Sequence, residues 1–167
     1  MRILIIKTSS LGDIIHSFPA IEDIKKNYPE SRVDFLVDNT FLSTAKLNKS
    51  IDNFFPISLR ETKNQSFMKR LKNLNEEINE SFKNITYDFV IDFQGLMRTQ
   101  IIGSKIKKIS SSKNFIGYDF RSAKEGLFTF LYDRGINVTK DEHAVMRMKK
   151  LAAESLNYEL SKEHEYG

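Results

Sequence analysis

The segment K-T-S-S-L-G-D-I-I-H at 7–16 brings two serine hydroxyls, a glycine and a carboxylate together between Ser9 and Asp13. It follows an apolar run and precedes a helical pattern, so it reads as a strand-to-helix turn. Hydroxyls and free amide donors at such a turn suit an oxyanion or a sugar hydroxyl. It is neither a Walker loop nor a dinucleotide fingerprint, because it lacks the Gly-x-Gly spacing and the Lys-Ser/Thr ending that cradle phosphate. Asp13 has two readings at this point: a first-turn acid facing the helix dipole, or a general base at the mouth of a sheet. His16 lies one turn further along and is expected to pack or to support its neighbours rather than to catalyse. The three histidines, His16, His143 and His164, fall at no metal-ligand spacing. With no cysteine in the chain, disulfides, thiolate metal sites and a cysteine nucleophile are excluded together.

Strands alternating with helices must position these residues. Arg2–Lys7 is a continuous apolar run of the kind buried on both faces of a parallel sheet. Val33–Asp38, Phe54–Ser58, Tyr87–Phe93 and, more weakly, Asn114–Tyr118 read as further strands. Gln65–Lys83 is the clearest helix, with Phe67, Leu71, Leu74, Ile78 and Phe82 in one apolar stripe. Residues 13–27 read as helical, with a kink or restart at Pro19. Gln94–Lys107, Leu127–Tyr132 and Ala144–Leu156 complete the helices, the last with Asp141 as its expected cap. This alternation predicts an α/β fold, a Rossmann-like parallel sheet with helices on both faces. Ligands then bind outside the carboxyl ends of the strands. Ser9, Ser10, Gly12 and Asp13 follow the first strand, and Arg60 and Lys63 the third. Gln94, Gly95 and Arg98 follow the fourth, and Asp119, Arg121 and Lys124 the fifth. The convergence of hydroxyls, an amide and cations on one edge is a stronger signal than any one of them. A phosphoacceptor receiver domain would need an acidic pair after the first strand, where Thr8, Ser9 and Ser10 stand instead.

The 167 residues, 40% apolar and 29% charged, fit one folded domain. Lys and Arg number 26 against 22 Asp and Glu, a mild excess without the dense basic and aromatic stripe of a nucleic-acid module. The excess is local: Arg98–Lys124 holds seven cations and one acid, Asp119, which suits a solvated face, an anionic ligand or a membrane surface. No apolar run approaches the roughly 18 residues that cross a bilayer. The chain starts directly in its first strand with no signal-peptide pattern, so a cytoplasmic protein is expected.

Four blocks carry a resemblance: M-R-I-L-I-I-K-T-S-S-L-G-D-I-I-H-S-F-P-A at 1–20, Y-D-F-V-I-D-F-Q-G-L-M-R-T at 87–99, G-Y-D-F-R-S-A-K-E-G at 117–126 and H-A-V-M-R at 143–147. In order and spacing the chain resembles the lipopolysaccharide heptosyltransferases of glycosyltransferase family 9, type I more than types II or III. The resemblance implies a GT-B architecture of two Rossmann-like halves. Residues 1–160 would be the N-terminal, acceptor-binding half and 161–167 a linker or end, with the C-terminal donor half absent. It implies inverting transfer of heptose from ADP-L-glycero-D-manno-heptose to the Kdo of Kdo-lipid A, with Asp13 as the base. Ser9, Ser10, Gly12, Arg60, Lys63, Gln94, Gly95, Arg98, Arg121 and Lys124 would surround the acceptor. His16, His143 and Arg147 would support them from behind.

No metal, cofactor or nucleic acid is implied, and the location would be cytoplasmic, peripheral at the inner membrane. Three positions depart from the family pattern. Glu61 stands where an arginine is expected beside Arg60. Lys124 replaces an arginine, keeping the charge and losing the two-pronged guanidinium. Gly126 replaces a proline, which predicts a looser loop. The rival readings are a non-catalytic Rossmann-like module for an anionic lipid or sugar, and a family 9 transferase for another sugar.

Overall fold

The computed structural model describes residues 1–59 and 67–167, with the backbone alone at 67, 68, 70 and 71. The strands are β1 (Arg2–Ile6), β2 (Arg32–Asp38), β3 (Asn53–Ile57), β4 (Phe89–Asp92), β5 (Asn114–Tyr118) and β6 (Arg134–Ile136). They form one parallel sheet in the order β3-β2-β1-β4-β5-β6. The helices are α1 (Leu11–Ile15), α2 (Phe18–Asn27), α3 (Leu42–Ala45), α4 (Phe67–Phe82), α5 (Met97–Ile109) and α6 (Ala144–Leu156). Among the described residues no helix is long and apolar enough to cross a membrane.

The pleat of β1 explains why its apolar run is unbroken. Ile3 and Ile5 enter one core, with Phe18, Ile21 and Ile24 of α2 and Met148, Leu151 and Ala152 of α6. Leu4 and Ile6 point to the opposite core, with Ile78 and Phe82 of α4 and Ile102 and Ile106 of α5. Side chains alternate across a strand, so only a strand covered on both faces can be apolar at every position. Ile3 pairs in register with Val33 of β2 and with Phe89 of β4, which makes β1 the centre of the sheet.

The helix expected over 13–27 is two helices. α1 ends at Ile15, and α2 restarts at Phe18 with Pro19 in its first turn, where the missing amide donor costs least. Asp141 does not cap α6. His143 does, its Nδ1 accepting from the Val145 amide at 3.3 Å. Asp141 stands two residues further out, beyond reach of the first free amides. The helix expected at Leu127–Tyr132 is a 3-10 helix over Gly126–Leu131, and α3 and β6 are additions to the expected elements.

Candidate active site

The chain runs outward from β1 to β2 and β3, then crosses back to β4 on the other side of β1. Loops leaving β1 and β4 therefore part in opposite directions and open a crevice at the carboxyl edge. A small pocket lies there, with Lys7, Asp13, Gln94, Tyr118, Lys124 and Arg147 around it, and Phe93, Ala144 and Met148 as its apolar part.

Asp13 is held from three directions. Its Oδ2 accepts from the Ser10 backbone amide at 3.2 Å and from the Ser10 hydroxyl at 3.3 Å. The ammonium groups of Lys7 and Lys124 each lie 3.7 Å from the same oxygen. Partial burial alone would raise its pKa. The Lys7 charge, the Ser10 amide and the Lys124 charge outweigh that and hold the carboxyl below its ordinary 3.8. Asp13 is therefore both a first-turn acid of α1 and an ionised carboxylate facing a pocket; the two readings of the sequence are compatible.

Lys7 was not singled out in the sequence, where it reads as the end of the first strand. Its side chain is only 3% exposed. Burial brings its pKa down from 10.5 to about 8, with Lys124 pushing the same way and Asp13 and Asp92 pulling against it. Its amide still continues the ladder to Leu36 at 3.1 Å, so the strand aims the side chain into the site.

The loop after β4 is built on Asp92. This buried carboxylate accepts from the Gln94 and Gly95 amides at 2.8 and 3.2 Å, from the Thr99 hydroxyl at 2.8 Å and from the Tyr132 hydroxyl at 2.8 Å. Gly95 takes φ +64°, a left-handed conformation that favours glycine, and a Cβ there would meet Tyr118 at 3.1 Å. Its carbonyl accepts from the Glu125 amide at 3.0 Å. Gln94 accepts from the Ser9 amide at 3.2 Å and so ties the β4 loop to the β1 loop, while Arg98 donates to the Ser9 hydroxyl at 3.3 Å.

The expected supporting residues divide. Arg147 lines the pocket itself, its guanidinium 4.8 Å from the Tyr118 ring and donating to the Ser122 carbonyl. His16 and His143 meet edge to face at 5.2 Å outside the pocket lining. Arg121 is exposed on the loop after β5 and does not line the pocket. Arg60, Glu61 and Lys63 lie outside the described residues. At Gly126 a Cβ would come within 2.5 Å of the Phe120 carbonyl oxygen, and Glu125 beside it is bonded to Gly95, Met97 and Gln100. Gly12 is the opposite case, since a Cβ there would meet nothing within 4 Å. Among the described residues no three His, Asp or Glu side chains stand together as a metal would need.

Comparison with known proteins gives three concordant results. A model of glycosyltransferase family 9 (heptosyltransferase) matches residues 76–167. Lipopolysaccharide heptosyltransferase 1 of Escherichia coli K12 is 31% identical over 158 residues, 95% of this chain and 48% of that protein. The Pseudomonas aeruginosa enzyme of the same name is 31% identical over 160 residues, 96% of this chain and 44% of that protein. The solved structure of E. coli heptosyltransferase WaaC with ADP-2-deoxy-2-fluoro heptose superposes with a TM-score of 0.89 at 29% identity, over all of this chain and 52% of that one. The chain thus spans about half the length of the curated relatives it matches.

Proposed function

This chain belongs to glycosyltransferase family 9, the heptosyltransferase family, and from that premise we propose that it is the acceptor-binding half of an inverting lipopolysaccharide heptosyltransferase. The observation that carries this reading is the ionised Asp13 carboxylate, set in a pocket at the switch point and flanked by two ammonium groups. Asp13 takes the proton from a hydroxyl of the Kdo sugar of Kdo-lipid A. The freed oxygen attacks the anomeric carbon of heptose from the side opposite ADP. The bond to the diphosphate breaks, and ADP leaves with the electron pair. Attack from the far side inverts the anomeric centre.

Several features support the acceptor assignment. Gly12 leaves open space beside the base, where the sugar approaches. Lys124 and Arg147 line the pocket and Arg98 donates to the Ser9 hydroxyl on the adjoining loop, positive charge suited to the Kdo carboxylate and the lipid A phosphates. Arg121, exposed on the loop after β5, is assigned to the same acceptor, as are Arg60 and Lys63 on the family resemblance alone. The donor, ADP-L-glycero-D-manno-heptose, is held by a second half of GT-B type corresponding to the remainder of the longer relatives. The WaaC complex with an ADP-heptose analogue favours that donor. We assign no metal or cofactor to the step; cations neutralise the charge that develops on the leaving diphosphate. The site works in the cytoplasm at the inner face of the membrane, where a lipid-borne acceptor is presented.

Holding both substrates in one cleft supplies roughly 7–11 kcal/mol of a bimolecular barrier. This half alone is therefore expected to bind acceptor and to transfer almost nothing. Calorimetric titration of the 167-residue chain tests the assignment. The Kdo-containing saccharide of the acceptor should bind, and ADP-heptose should not. Binding of ADP-heptose alone would reverse the roles given to the two halves.

A further inference from the structure

Five of the nine large hydrophobic side chains exposed among the described residues lie between Met97 and Phe130. Leu127, Phe130 and Phe120 are 71%, 74% and 70% exposed, and Met97 and Ile101 nearly half. Met97 and Ile101 lie one turn apart on α5, and Leu127 and Phe130 three residues apart on the 3-10 helix that packs beside it. The Phe120 ring lies against Gly126, at the start of that helix. Between the two helices runs an open groove lined by Ile101, Lys105, Lys108, Phe128, Phe130 and Leu131, with no carboxylate in its lining. Among the described residues Lys105 donates to Asn75, an uncharged partner, and Lys108 stands exposed. Two acids of the flanking segments are occupied: Glu125 by the Met97 amide and Asp133 by Lys107 and the Phe115 amide.

We propose that the outer face formed by α5 and the Gly126–Leu131 turn docks on an anionic phospholipid surface. Leu127 and Phe130 enter the acyl boundary, and Lys105 and Lys108 meet the headgroup phosphates. Charge of one sign beside protruding apolar tips is the pattern of an interfacial anchor. A second protein is a poorer occupant, since a stable interface takes about 20–30 residues a side and this patch offers five apolar tips.

The face is continuous with the candidate site. Lys124, at Asp13, leads through Glu125 directly into the 3-10 helix, and Glu125 is bonded to the first turn of α5. A membrane under this face would bring a lipid-borne sugar to the pocket mouth along the same edge. The inference rests on the acceptor reading for its biological sense, but its test needs no acceptor, donor or turnover, so either can fail without the other.

The test is co-sedimentation of the 167-residue chain with vesicles of phosphatidylethanolamine and one-third phosphatidylglycerol, against vesicles of phosphatidylcholine alone. The chain should partition to the anionic vesicles and lose that partition as salt rises. Each lysine near an anionic surface contributes roughly fivefold, so Lys105→Gln/Lys108→Gln should bind about 25-fold more weakly. Leu127→Ser/Phe130→Ser should lose at least tenfold, with melting unchanged because both side chains are already in solvent. The chain has no tryptophan, so Phe130→Trp places its one tryptophan on the face, and the selectively excited tryptophan emission should move to the blue on the anionic vesicles only. Three results would overturn the proposal. They are no partition to anionic vesicles, equal partition of wild type and Leu127→Ser/Phe130→Ser, and a concentration-dependent dimer that this double variant abolishes while vesicles bind nothing.

Discussion

The Lys7 ammonium lies 3.7 Å from Oδ2 of Asp13 and is almost wholly buried, whereas the carboxylate it faces is partly open to solvent. In the proposed reaction the exposed partner is the one that meets the substrate; the buried one is fixed by β1. Lys7 would there act through Asp13, as a positioning residue whose charge helps hold that carboxyl below its ordinary pKa.

Replacing Lys7 by Met in the complete enzyme removes the largest of the influences that lower the Asp13 pKa and leaves the burial that raises it. The acid limb of the kcat/KM profile, set by Asp13, should therefore move to higher pH. A profile taken across the acid range checks this. A limb that stays in place would mean that Lys7 does not tune the base.

The same lysine has a signature in stability. Its pKa is about 8 when folded against 10.5 ordinarily, so between those values the unfolded chain binds more protons. Its contribution to stability must then rise with pH across that window, and be flat below it. Met at this position carries no proton to lose. The melting temperature of Lys7→Met relative to wild type should accordingly fall between about pH 7.5 and about pH 10. A difference independent of pH would show that the ammonium is not held in a depressed state.

Much of this arrangement was legible in the sequence, for identifiable reasons. β5 and α6 have the bounds their patterns predict, α6 because its apolar residues recur at helical spacing and β5 in spite of its weak pattern. The strand-end rule brought Asp13, Gln94 and Lys124 to one pocket. β6 was invisible because R-G-I, two of whose three residues are exposed, carries no strand period. Tyr118 was missed because an aromatic inside a strand reads as core, and it is core; one edge of it also faces the pocket. Lys7 left a signal that went unused: a lysine ending a strand that is buried on both faces must put its charge somewhere. Arg147 read as a support because helix position alone does not say how far a long side chain reaches.

Gly12 separates packing from function. Nothing within 4 Å would obstruct a Cβ there, and alanine in a helix is more stable than glycine by about 0.5–1 kcal/mol. Gly12→Ala should fold at least as well as wild type, yet raise the KM for acceptor by filling the space beside the base. A thermal melt and acceptor-dependent kinetics on the one variant check both halves of this. Normal kinetics would show that the acceptor does not pass over Gly12.

The central claim is that Asp13 accepts a proton, and Asp13→Asn in the complete enzyme tests it most directly. Asparagine keeps the shape and can still accept from the Ser10 amide, so the turn at α1 survives. Loss of a general base costs about 10²–10⁴-fold in rate, whereas loss of a cap costs about 0.5–2 kcal/mol of stability. Turnover of ADP-heptose with Kdo-lipid A should fall by that rate factor while melting temperature and acceptor affinity stay close to wild type. Normal turnover with a lowered melting temperature would contradict the account and leave Asp13 as a helix cap.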